Sequence, residues 1–111
     1  MPEAVTPARI VLTTVANPEE AGRLARVLVE ERLAACASLV PGVESVYRWK
    51  GEVESATETM LLIKTGRDQL AALEARLREL HCYETPEFLV LEVESGSRVY
   101  LDWLMGSLRK V

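Results

Sequence analysis

The 111-residue chain has little of what most functional classes require. It carries a single His, two Cys, a single Phe, 5 Pro and 6 Gly. One His, with no GxSxG elbow and no recognisable nucleophile–base pair, leaves a hydrolytic or redox enzyme without machinery, so a non-enzymatic role is expected. GxGxxG and GxxxxGK[ST] are both missing, which removes the usual nucleotide-phosphate loops. Cys36 and Cys82 give neither a disulfide framework nor zinc-finger spacing and read as free thiols. Basic residues are outnumbered, 13 against 17 acids for a net charge of -4, and no basic cluster is visible, so sequence-independent nucleic-acid binding is excluded. The longest apolar stretch, LAACASLVPGV, is too short to span a bilayer and is broken by Ser, Pro and Gly, so no membrane insertion is expected. The N-terminal MPEAVTPARIVLTTVA has Pro and Glu where a secretory signal has Lys or Arg, which predicts a cytoplasmic protein. Scarce Asn and Gln beside abundant Glu fit a heat-tolerant source. The length predicts a single domain over 1–111.

What is present is a clear alternation of element types. Residues 8–16 are β-branched and apolar and stop at Asn17-Pro18-Glu19-Glu20, a helix start with N-cap, N1 proline and first-turn carboxylates. Ala21, Leu24, Ala25 and Leu28 then recur at helical spacing, predicting a helix to about Leu33. AACASLVPGVESVYRW lacks that period and reads as a long strand bulged at Pro41-Gly42, with Lys50-Gly51-Glu52 as the hairpin turn and VESATETMLLIK as the return. Thr65 and Asp68 suggest a capping box before a helix built on Leu70, Leu73, Leu77 and Leu80. FLVLEVE is the last strand, and VYLDWLMGSLRKV a short C-terminal element. The resulting fold class is α+β, a ferredoxin-like βαββαβ sandwich with an antiparallel sheet, an extended hairpin and helices on one face. Both long strands carry apolar residues at either parity, so the second sheet face is expected to be covered by another copy.

Reactive and aromatic residues concentrate in two loops: Tyr47-Arg48-Trp49-Lys50-Gly51-Glu52 at the hairpin and HCYETPE, residues 81–87, before the last strand. AACASLVPGVESVYRWKGEVE, ETMLLIKT and HCYETPEFLVLEVESGSRVYLDWL, in that order along nearly the whole chain, resemble the signatures of the CutA family of divalent-cation tolerance proteins. The resemblance implies a tight homotrimer whose long hairpin strands extend sheets between subunits, tolerance to copper and other divalent metals, and a likeness to the trimeric PII signalling proteins.

It also implies where a metal would sit. His81 takes the place of the His in the family's HPYE-like motif, Cys82 replaces the usual Pro with a soft thiolate donor, and Glu84 supplies a carboxylate. The Cys and second His that copper-binding relatives use correspond here to Thr13 and Leu80. His81 can equally serve the C-terminal end of a helix dipole, and Cys36 falls among small apolar residues as a packing thiol. Two functions follow as expectations. One is a homotrimeric divalent-cation tolerance protein binding copper or another divalent ion through His81, Cys82 and Glu84. The other is a PII-like sensor or scaffold whose intersubunit cleft, lined by Tyr47, Trp49, Lys50, Lys64, Tyr83 and Glu87, holds a small anion or a partner protein.

Overall fold

The computed structural model describes residues 5–111. In chain order the elements are β1 (Ala8–Val15), α1 (Pro18–Glu30), β2 (Cys36–Trp49), β3 (Glu52–Gly66), α2 (Leu70–Leu80), β4 (Leu89–Glu92) and α3 (Arg98–Gly106). The four strands form one antiparallel sheet in the order β2-β3-β1-β4. This is the ferredoxin-like α+β sandwich expected, with α3 added.

Helix α1 starts as its sequence dictates, with Asn17 Oδ1 accepting the Glu20 N–H at 2.8 Å and Pro18 at the first helical position. It ends at Glu30, earlier than the periodicity predicts. Arg32 adopts φ 60°, and the Leu33 and Arg32 N–H groups donate back to the Leu28 and Val29 carbonyls, a Schellman ending made without glycine. Thr65 forms no capping box: its hydroxyl is buried and donates to the Leu33 carbonyl at 2.7 Å, and a 3₁₀ turn at Arg67–Gln69 leads into α2.

Alternation along the strands sorts residues onto two faces. Val11 and Val15 of β1 and Leu61 and Ile63 of β3 meet Leu24 and Leu28 of α1 and Leu73 and Leu77 of α2, forming the main core. The opposite face carries Ile10, Leu12, Met60 and Leu62, which are half-buried, and Val40, Leu89 and Leu91, which are exposed. At one end of that face α3 closes a smaller cluster of Ala8, Ala35, Leu104 and Leu108. Gly66 lies beneath it, where a Cβ would meet Gln69 Oε1 at 2.6 Å and Leu108 Cδ1 at 2.9 Å, so a larger residue would have to displace these side-chain ends.

The β2–β3 hairpin is longer than the helices that back it. Pairing runs from Cys36↔Lys64 to Val40↔Met60, then resumes at Val43↔Glu58 and continues to Trp49↔Glu52, so Pro41-Gly42 is the bulge expected from sequence. Lys50 and Gly51 turn the tip with φ 52° and 83°, the two positive angles of a tight hairpin turn. Beyond the bulge no helix among the described residues covers the strands, only the 81–87 loop reaches them, at Glu58, and Val46 and Val53 are 73% and 64% exposed. The projecting arm raises the radius of gyration to 14.9 Å, against about 13 Å for a compact chain near this size.

Candidate functional site

Where the arm leaves the body, it and the 81–87 loop enclose a cleft of about 740 Å³. The loop contributes Cys82, Tyr83, Glu84, Thr85 and Glu87; the hairpin contributes Ser45, Val46, Tyr47, Trp49, Glu54 and Glu58, and Thr14 lies at the end of β1. The pairings Tyr47↔Glu54 and Val43↔Glu58 put these aromatic and acidic side chains on the sheet face opposite the main core.

Sequence alternation and helix geometry hold the loop in place. The His81 N–H donates to the Leu77 carbonyl at 2.8 Å, closing α2. Its ring is buried, with Nε2 2.8 Å from the Thr14 carbonyl and Nδ1 accepting the Tyr83 N–H at 3.1 Å. A carbonyl only accepts, so Nε2 carries the proton and the imidazole is the neutral Nε2–H tautomer. Both ring nitrogens are therefore committed. His81 anchors the loop to β1 in place of presenting the lone pair expected of a metal ligand, and the neutral ring also replaces the imidazolium expected at the helix end.

The next two side chains clasp the loop to its neighbours. The Tyr83 hydroxyl donates to Glu58 Oε2 at 2.7 Å, and its ring packs 4.8 Å from the His81 ring, centroid to centroid. Burial, then the Glu58 carboxylate, pushes the Tyr83 phenol well above its usual pKa, so it is a fixed donor. Cys82 is exposed, and its Sγ donates to Glu20 Oε2 at 2.5 Å. That hydrogen bond, with burial and the Glu20 charge, raises the thiol pKa, while Arg23 pulls the other way.

The expected metal residues do not converge. Among the described residues no group of three or more His, Cys, Asp and Glu is placed to hold a metal ion. Cys82 and Glu84 share the cleft wall, and His81 stands behind it. Of the expected cleft residues, Tyr47, Trp49, Tyr83 and Glu87 line it. Lys50 and Lys64 do not line it in this chain. Lys50 Nζ sits 5.7 Å from the Trp49 ring centroid at the arm tip, a cation–π distance. Lys64 lies at the far end of the open face, paired with Cys36, where its Nζ is 3.9 Å from Cys36 Sγ and 3.5 Å from Ser38 Oγ. Cys36 is half-buried on that face, outside the main core that its small apolar neighbours suggest.

Sequence reading missed Glu54, Glu58 and Glu20. Glu58 is only 8% exposed and Glu20 7%, an unusual state for carboxylates; Glu20 has the largely exposed Arg23 at 3.7 Å, and Glu58 is held by the Tyr83 hydroxyl. Strand parity was the signal available for Glu54 and Glu58: paired across the hairpin, they fall on the face that carries Tyr47.

The family model described as CutA1 divalent ion tolerance protein matches residues 9–107. The chain belongs to this family. The divalent-cation tolerance protein CutA of Thermus thermophilus is 48% identical over 95 residues, covering 86% of this chain and 92% of that protein. The chloroplastic protein CutA of Arabidopsis thaliana is 44% identical over 103 residues, and the chain spans 93% of its own length but 57% of the plant protein. A solved structure of a PII-like protein CutA from Nostoc sp. PCC 7120, in apo form, superposes with a TM-score of 0.84 at 44% identity, covering 91% of this chain and 97% of that one. CutA family membership and the ferredoxin-like fold thus agree, and CutA relatives are named for tolerance of divalent cations.

Proposed function

We propose that this protein is a non-enzymatic, cytoplasmic homotrimer that serves divalent-cation tolerance by taking up copper or another divalent ion in the cleft between arm and loop. The observation that carries the reading is the lining: Glu54, Glu58, Glu84 and Glu87 face the cleft, with no Lys, Arg or His among the described residues that wall it. Four carboxylates around one recess concentrate cations and repel anions. Cys82 and Glu84 are the ligands proposed from the loop, and His81 and Tyr83 keep them in position. A small anion, as in the PII-like alternative, would meet the same carboxylates, so the cation reading is preferred.

The trimer is supported by surface that one chain leaves uncovered: the apolar sheet face at Val40, Leu89 and Leu91, and the bare arm at Val46 and Val53. Light scattering should return three times the 12.4 kDa of one chain. For the cation, native mass spectrometry of chelator-treated protein with Cu(II) and Zn(II) should show stoichiometric uptake that the double variant Glu54→Gln/Glu58→Gln weakens. Equal uptake by both proteins would reject the cleft.

A further inference from the structure

The size and lining of the cleft fit a longer ligand than a metal ion. At about 740 Å³ the recess has the volume of a site for a small organic molecule. Its charges are spread out: Glu54 and Glu58 are four residues apart on one face of β3, so their Cα atoms lie about 13 Å apart at the usual rise of a strand. Metal ligands must converge on one point, and among the described residues no three His, Cys, Asp or Glu do so. Nor does any of Glu54, Glu58, Glu84 and Glu87 have an ion-pair partner among the described residues. Glu58, only 8% exposed, is held by the neutral Tyr83 hydroxyl and still lacks a countercharge. Beside these carboxylates the wall is aromatic. Tyr47 stands directly across the hairpin from Glu54, and Trp49 follows on the same face. Lys50 shows what the Trp49 ring attracts, since its ammonium lies 5.7 Å from the ring centroid. We infer that the cleft binds a linear aliphatic polyamine, with its ammonium groups on separated carboxylates and its methylene chain along Tyr47 and Trp49.

This assignment rests on the reading that the cleft admits cations, and it names a further class of cation. Each ammonium group carries its own donors and needs a single carboxylate, so the carboxylates do not have to converge. The methylene segments between the charges remove apolar surface from water against the two rings, and an ammonium passing over a ring gains a cation–π contact. A monoamine can satisfy only one carboxylate at a time. Magnesium binds through a near-octahedral set of oxygens and has no use for the rings. Charge spacing and aromatic lining together therefore select a polyamine over either. Part of the site is fixed beforehand, because the Tyr83 hydroxyl holds Glu58 and the His81 ring ties the loop to β1.

The test is isothermal titration calorimetry of the chelator-treated protein with spermidine at physiological salt, with n-butylamine and magnesium as controls. Spermidine should bind once per chain and at least about tenfold more tightly than n-butylamine, because charge pairs form at more than one carboxylate. Glu54→Gln/Glu58→Gln should weaken it by at least about tenfold, and Trp49→Leu by several-fold. A Gln amide oxygen still accepts from Tyr83, and cooperative thermal unfolding checks that each variant is folded. Spermidine binding no tighter than n-butylamine, its displacement by an equal concentration of magnesium, or an affinity unchanged by Trp49→Leu and by the double variant, overturns the polyamine. If spermidine fails in one of these ways while Cu(II) or Zn(II) uptake still depends on Glu54 and Glu58, the polyamine falls and the cleft reading stands. If spermidine shows the expected losses while metal uptake ignores the double variant, the polyamine stands and the metal ions bind elsewhere. If neither ligand responds to the double variant, both readings fall.

Discussion

The two ends of the β2–β3 hairpin are made from the same pair of strands but are stabilised differently. At the base, Leu61 and Ile63 lie under two helices and are fully buried. Past the bulge, the same strands keep their hydrogen-bonded pairing while Val46 and Val53 face outward. A two-stranded ribbon without a packed face is marginal in water. The difference teaches that backbone pairing sets the course of the arm and apolar burial fixes the base. The uncovered half is the part of the hairpin on which the proposed trimer depends.

Substitutions at each end can break or sharpen that contrast. The largest effect is expected at the base: Leu61→Ala should cost about 2–5 kcal/mol in urea unfolding, because the helices cannot collapse fully onto the gap. On the arm, Val46→Ala and Val53→Ala should cost under about 0.5 kcal/mol if the chain stands alone. A several-fold larger loss that depends on protein concentration would place a second copy against the arm. Between the two, Tyr83→Phe removes the donor that Glu58 accepts. It should cost about 1–3 kcal/mol by the same unfolding measurement, the usual penalty for leaving a buried acceptor unpaired.

Smaller effects refine the picture. On the helical layer, Arg76 of α2 hydrogen-bonds Glu31 at the end of α1 at 2.8 Å and holds its carboxyl below the usual carboxylate range. A folded-state pKa below the unfolded one contributes stability that is present above the unfolded pKa and lost as pH falls through the folded one. The melting midpoint of wild type should therefore exceed that of Glu31→Gln at neutral pH, and the gap should shrink below about pH 4. At the arm tip, Lys50→Asn should stabilise the turn by a few tenths of a kcal/mol, since Asn tolerates the positive φ better than Lys. A gain that changes with protein concentration would show that the tip is ordered by contacts beyond its own.

Local chemistry made much of the fold legible. Asn17-Pro18 starts α1, Pro41-Gly42 makes the bulge and Lys50-Gly51 the turn, because each feature is decided by residues adjacent in sequence. The end of α1 was not legible, since it depends on a left-handed Arg32 where a glycine would have announced it. The site was half legible. Tyr47, Trp49, Tyr83 and Glu87 do meet in one cleft. His81 reads as a ligand until the Thr14 carbonyl, 67 residues away, takes up one ring nitrogen, and Glu20 becomes conspicuous only when it meets a thiol 62 residues on. Partners that distant leave no local pattern.

The bulge has a consequence for how such chains can change by insertion and deletion. Up to Val40 the even-numbered residues of β2 share the face of Met60 and Leu62; from Val43 the odd-numbered ones share the face of Glu58 and Glu54. The extra residue thus works as a reading-frame shift for side chains. Losing one residue between Val40 and Val43 would let the strands pair without a bulge, leaving Val43 opposite Glu58 and Tyr47 opposite Glu54, so the cleft face would be kept and only the local bend and twist of the arm lost. The bulge therefore sets the direction in which the arm leaves the body, while the partners across the hairpin set which side chains face the cleft.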